Sequence, residues 1–232
     1  MKKDKQGCDL TTCMLCRLCL KEWTPAVEAH RHNFSLKKGE MLFKEGDKVT
    51  GIYFVYAGKV KVHKHWGKDK ELIVRFAQKG DIVGHRGVGQ ELVYPISATA
   101  LEPVTICYVD MAFFQSSLQV NHTFLYELML FYASELQESE RHMRNLAHMS
   151  VKGRVANALL LLHGKFGFNT SGVLNMKISR NDLAAYTGTT YETVFRTLSE
   201  LVQDRIITIT DKEIAIISLE KLLRLAKEDE GL

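Results

Sequence analysis

The sequence predicts an α+β chain of three successive parts: an N-terminal β-roll, a long helix and a C-terminal winged helix-turn-helix. Three observations predict it. Over residues 34–110, short runs of β-branched and aromatic residues are punctuated by Gly39, Gly46, Gly51, Gly58, Gly67, Gly80 and Gly84, the pattern of many short strands joined by tight turns. Over residues 124–149 neither proline nor glycine occurs, and the apolar residues recur at alternating spacings of four and three. Over residues 178–198 two short helical patterns flank Gly188.

Composition narrows the function classes. Of 232 residues, 46% are hydrophobic, enough for a buried core, and the net charge is only +4, which excludes a polycationic nucleic-acid coat. A mild basic excess falls over residues 150–210, with seven Lys or Arg against four Asp or Glu. No apolar run reaches the roughly eighteen residues of a membrane span. The basic start, residues 1–5, is followed by no signal-peptide core, because the apolar residues 13–20 are few and interrupted by Arg17. The expected compartment is the cytoplasm.

In chain order, residues 1–22 form an arm carrying Cys8, Cys13, Cys16 and Cys19, while the fifth cysteine, Cys107, stands alone far downstream. In a reducing compartment such a cluster points to metal or redox chemistry rather than structural disulfides. A roll domain is expected over residues 23–120, opening with a short helix at 23–33. Residues 52–56 and 72–76 are rich in β-branched and aromatic side chains, and 59–63 alternates strictly, as a half-buried strand does. A dimerisation helix is expected over 121–149. Its seam is Leu125, Met129, Tyr132, Leu136, Ser139, Met143 and Leu146, a heptad pattern flanked by Glu and Arg that suits a parallel dimer, with Ser139 weakening it.

The last part, residues 150–232, begins with a helix at 151–166 whose centre, 158–162, is apolar, and Gly164, Gly167 and Gly172 then open a loop. Residues 178–188 read as the first helix of a pair and its turn, with Ser179 as cap, Asp182 at its box position and Gly188 as the left-handed turn residue. Thr189 is the expected cap of the second helix, with Glu192 at its box position. Tyr191, Glu192, Phe195 and Arg196 share one exposed face, while Val194, Leu198 and Leu201 turn inward. Such a helix enters the major groove by its N-terminal end, so Thr189, Thr190, Tyr191, Glu192, Phe195 and Arg196 are the candidate contacts to double-stranded DNA. Arg pairs with guanine and Glu accepts from cytosine. Lys152 is a candidate backbone contact. Residues 206–217, with an Asp211-Lys212 turn, read as a two-stranded wing.

Roll, long helix and winged helix in this order resemble the Crp/Fnr transcription regulators over nearly the whole chain. The motifs are KGEMLFKEGD at 38–47, GKVKV at 58–62, GDIVG at 80–84 and YETVFR at 191–196. The resemblance implies a cyclic-nucleotide-binding-like double-stranded β-helix, a homodimer on a pseudo-palindromic DNA site, base reading by Glu192 and Arg196, RNA polymerase as a protein partner and no enzymatic activity. The cyclic-AMP branch has a Glu after Gly-Asp-x-x-Gly and an Arg-Ser pair further on. Here His85 and Ile96-Ser97 stand there, so no cyclic nucleotide is expected. The chain is more similar to the oxygen-sensing FNR branch. That likeness implies a four-iron four-sulfur (4Fe-4S) cluster held by Cys13, Cys16, Cys19 and Cys107, with Cys8 able to substitute, although the cysteine spacing departs from that branch. Zinc on the same thiols is the second alternative and a thiol–disulfide switch within the arm the third. From another class, His63, His65 and Glu71 evoke a cupin-like metalloenzyme. The neighbouring lysines favour plain surface histidines on a hairpin instead.

Overall fold

The computed structural model describes residues 2–3, 11–67 and 70–228. Cys8 lies outside the described residues. The chain divides into two compact units, residues 1–137 and 138–232.

The first unit opens with strand β1 (Lys2–Lys3), helix α1 (Met14–Arg17), a 3₁₀ turn at Lys21–Trp23 and helix α2 (Thr24–His30). Eight further strands follow: β2 (His32–Leu36), β3 (Met41–Phe43), β4 (Gly51–Ala57), β5 (Val60–Trp66), β6 (Lys70–Ala77), β7 (Ile82–Val83), β8 (Ser97–Ala100) and β9 (Val104–Asp110). They form two antiparallel sheets, ordered β1-β2-β9-β4-β7 and β3-β8-β5-β6. The expected roll is therefore present. The helix expected at 23–33 ends at His30, because His32 already pairs with Tyr108 of β9 and Arg31 turns extended. Gly51 is required where it stands: a Cβ there would lie 2.2 Å from the Val109 carbonyl oxygen.

The roll's core includes Ile52, Phe54, Val55, Val60, Ile73, Ala77, Ile106 and Val109, with β4 buried on both faces from Gly51 to Val55. Helix α3 (Met111–Val120) starts at Asp110, whose carboxylate accepts the Phe113 N–H at 2.8 Å. Helix α4 (His122–His148) follows directly, and Asn121 Oδ1 accepts its Phe124 N–H at 2.9 Å. Helix α4 carries two apolar stripes. Phe124, Leu128, Phe131 and Tyr132 pack into the roll's hydrophobic cluster. On another face Leu125, Met129, Leu136 and Met143 are exposed, the last two at 61% and 64%.

The second unit contains α5 (Val151–Phe166), α6 (Arg180–Thr187), α7 (Tyr191–Gln203), the hairpin β10 (Ile207–Thr210) and β11 (Glu213–Ile216), and α8 (Leu219–Glu228). Ser150 caps α5 by accepting the Gly153 N–H at 3.0 Å. Gly164 does not open a loop but stays helical, and α5 runs on to Phe166 and ends at Gly167 with φ +71°. Leu159 and Leu162 of α5 are fully buried, and α8 packs against this helix through buried Leu222 and Ala226. Helix α8 lies beyond the wing, where no element was expected.

Candidate functional site

Two sets of side chains carry chemistry, one in each unit. In the second, Ser179 Oγ accepts the Asp182 N–H at 3.0 Å and starts α6. Gly188 then takes the left-handed conformation, φ +62° and ψ +43°, that turns the chain into α7. The cap of α7 is Thr190, not Thr189: its Oγ1 accepts the Thr193 N–H at 3.3 Å. Glu192 therefore plays no part in a capping box, and its carboxylate is left to the exposed surface in the helix's first turn, where the dipole favours it. Thr190, Tyr191, Glu192, Phe195 and Arg196 are exposed and Thr189 is half-buried, while Val194, Leu198 and Leu201 are buried as expected. The Arg180 guanidinium lies 5.0 Å from the centre of the Phe195 ring, which adds a cation to the same face. The wing turns at Asp211, φ +56°. Lys152 Nζ lies 3.2 Å from Asp204 and 3.5 Å from Glu200, weak ion pairs at the solvent-facing start of α5.

In the first unit the cysteines sit on elements tied firmly to the roll. Cys13, Cys16, Cys19 and Cys107 are all thiols. Cys13 caps α1, its sulfur accepting the Cys16 N–H at 3.4 Å. Cys13 and Cys16 are buried in the same apolar cluster as Cys107, which is 1% exposed at the middle of β9 between Asn33 of β2 and Phe54 of β4. Cys19 packs at the cluster's margin. Burial pushes its thiol pKa up, the Thr24 hydroxyl opposes this, and Cys13 adds to the rise. Two long-range bonds that the sequence did not reveal hold this segment down. Asn121 Nδ2 donates to the Leu18 carbonyl at 2.7 Å, and Trp23 Nε1 donates to Ser117 Oγ at 3.1 Å. Asn121 thus joins the arm to the first turn of α4 through one side chain.

Both halves match known families. Residues 33–121 match the cyclic nucleotide-binding domain and residues 153–225 the Crp-like helix-turn-helix domain. The cAMP-activated global transcriptional regulator CRP of Escherichia coli O157:H7 is 30% identical over 81% of this chain and 90% of its own length. The chain belongs to the Crp/Fnr family. Among its relatives, the transcriptional activator protein anr of Pseudomonas aeruginosa is 28% identical over 92% of this chain and 91% of that protein. The structure of FixK2 from Bradyrhizobium japonicum superposes with a TM-score of 0.76 at 25% identity, covering 84% of this chain and 96% of that one. This Crp/Fnr protein is accordingly a DNA-binding transcription regulator and not an enzyme, which removes the cupin-like alternative.

The resemblance sets His85 and Ile96-Ser97 at the nucleotide-pocket positions. His85 is buried, its ring edge-on to Phe131 and Tyr132 at 4.9 and 5.4 Å, and Tyr132 donates its hydroxyl to the His85 carbonyl at 2.5 Å. Glu135 of α4 gathers the nearby charges: Arg75 Nε at 3.0 Å, Arg86 Nη2 at 3.2 Å and His85 Nε2 at 3.7 Å. Burial pushes the Glu135 pKa up, but the His85 contact and the charges of Arg75 and Arg86 outweigh it and hold the carboxyl at about 2. Burial also pushes the His85 pKa down, against the pull of Glu135. Ile96 is buried as well. Both arginines are thus already engaged by a carboxylate. Tyr94 stacks on Phe43 at 4.0 Å and donates to the Gly51 carbonyl at 2.7 Å.

Of the expected seam, Leu125, Met129, Leu136 and Met143 are exposed, and Ser139 is half-buried. Tyr132 and Leu146 are half-buried and engaged within the chain, Tyr132 by His85 and Leu146 by Gly188, where a Cβ would meet it at 2.7 Å. His63 is corrected too. It is no surface histidine but 1% exposed, with Nε2 2.8 Å from Thr99 Oγ1. Among the described residues, His63, His65 and Glu71 are the one group that brings three metal-ligating atoms within 4.8 Å of one another.

Proposed function

We propose that this regulator responds to oxygen or redox state through a 4Fe-4S cluster on Cys13, Cys16, Cys19 and Cys107, with Cys8 as a substitute ligand, and binds a pseudo-palindromic DNA site as a homodimer. The reading rests on the donor set itself: Cys13, Cys16 and Cys19 on the N-terminal segment and Cys107 at the middle of β9 in the same unit, with Cys13, Cys16 and Cys107 buried in its apolar core and Cys19 packed against that core. Four thiolates are what such a cluster takes, and the likeness to the FNR branch points the same way. Zinc is the second reading, since four cysteinyl thiolates hold that ion as well, and redox activity is what tells the two apart. A cluster spreads its cysteines over separate irons. When bound, it supplies an oxidation-sensitive centre whose potential follows burial and hydrogen bonds to sulfur.

The chain's own residues carry the coupling. With the arm docked, Asn121 bridges the Leu18 carbonyl and the Phe124 N–H and so orders the start of α4. The stripe of Leu125, Met129, Tyr132, Leu136, Ser139, Met143 and Leu146 then pairs with a second copy. The two α7 helices address half-sites about one helical turn apart, with Glu192 and Arg196 on a G·C pair and Thr189, Thr190, Tyr191 and Phe195 beside them. Release of the arm frees Asn121 and loosens the stripe. A coupling of ~1–3 kcal/mol suffices to shift occupancy. The protein works in the cytoplasm and acts on RNA polymerase.

Anaerobic purification followed by absorption, iron and acid-labile sulfide assays tests this. Brown protein whose visible band bleaches in air is expected, and Ser at Cys13, Cys16, Cys19 or Cys107 should each remove the band. Colourless protein with stoichiometric zinc would reject the cluster and leave the DNA-binding function intact.

A further inference from the structure

We propose that His63, His65 and Glu71 form a second metal site, one for a borderline divalent transition ion such as zinc, cobalt or nickel. The site lies on the β5–β6 hairpin of the four-stranded sheet, whereas Cys107 belongs to the five-stranded one. His65 and Glu71 face each other directly across the two strands. A bulge between Val62 and His63 shifts the register there, and the His63 ring stands edge-on to His65 at 5.0 Å. Three ligating atoms are thereby brought within 4.8 Å of one another.

His63 supplies a second, independent pointer. Its ring is buried, and Nε2 is occupied by Thr99 Oγ1, so Nδ1 is the nitrogen turned to the site. Nδ1 lies 2.8 Å from Glu71 Oε1, an ion-pair contact that sets both ligating atoms side by side. Ligating histidines are commonly held by a hydrogen bond at the other ring nitrogen, the place that Thr99 takes here. Two imidazoles and one carboxylate suit zinc, cobalt, nickel or copper rather than magnesium or calcium, and leave a coordination position for water. His65 is exposed and gives the ion its way in. The competitor is Lys61, whose Nζ lies 2.9 Å from Glu71. An arriving ion displaces this ammonium from the carboxylate, so Lys61 sets the affinity.

Cobalt(II) titration of the reduced, full-length chain under anaerobic conditions tests the site, because thiolate ligands give intense near-ultraviolet charge-transfer bands and imidazole ligands only weak visible ones. One ion per chain with weak visible bands is expected, and it should persist when Cys13, Cys16 and Cys19 are replaced by Ser. His65→Ala and Glu71→Gln should each weaken it by about tenfold or more. His65 is exposed, so His65→Ala keeps the fold, and circular dichroism checks this. Lys61→Met should bind more tightly. Unchanged affinity in His65→Ala and Glu71→Gln, only thiolate-type bands, or lost binding in Lys61→Met would each overturn the site.

Discussion

Arg196 stands one helical turn beyond Glu192 on the exposed face of α7, the geometry in which two side chains reach adjacent base edges. Arg196→Ala should cost about 1–3 kcal/mol on the specific site and relax discrimination at the contacted G·C pair. Binding to intact and base-substituted sites over a salt series measures this. Equal loss on every sequence would make Arg196 a phosphate anchor. At His85 the expected effect is on stability. Its folded pKa lies below the ordinary 6.5, because burial excludes the charged ring and Arg75 and Arg86 add to this, with Glu135 opposing. The unfolded chain therefore takes up a proton near pH 6.5 that the folded chain refuses. The contribution is complete above about pH 6.5 and is lost as pH falls towards the lower folded pKa. Thermal unfolding followed between about pH 7 and 5 should show the midpoint falling, and His85→Gln should flatten the slope. Glu135 acts in a separate window, keeping its contribution until pH drops below the ordinary carboxylate range towards about 2.

The two stripes of α4 separate folding from association. Leu128 is buried in the roll's cluster, so Leu128→Ala should destabilise the first unit by about 2–5 kcal/mol. Leu136 is 61% exposed. Leu136→Glu should leave the circular dichroism spectrum unchanged and shift sedimentation towards monomer, whereas an unchanged dimer would remove the seam from this face. The exposed stripe was legible in the sequence because a heptad repeat shows wherever no other packing interrupts it. The second stripe, Phe124, Leu128, Phe131 and Glu135, runs at the same helical spacing, but its meaning depends on Arg75, Arg86 and His85, which approach from other elements. Caps were readable to within a residue. Ser179 caps as its motif demands, while the choice between Thr189 and Thr190 turns on backbone dihedrals that two adjacent threonines do not distinguish. The strand at His32 was hidden for a related reason: its pairing with β9 outweighs the local helical pattern of the preceding residues.

For the whole molecule, the order of roll, long helix and winged helix-turn-helix was visible from changes of period alone. The charge network around Glu135 was not, since only the fold brings Glu135 beside Arg75 and Arg86. From that network cyclic AMP should leave the melting temperature and DNA affinity unchanged. A ligand that binds only the folded state raises the melting point, so a clear rise at modest concentration would show that the pocket opens to it. The arm's attachment was equally invisible, yet it has a practical consequence. Because Asn121 holds the Leu18 carbonyl with its amide nitrogen and the Phe124 amide hydrogen with its oxygen, undocking of the arm unsettles the carboxamide that shields that hydrogen from solvent. In deuterium exchange the Phe124 amide therefore works as a built-in reporter: slow when the cysteine segment is seated and faster when air exposure has freed it, read from one backbone position without any added label.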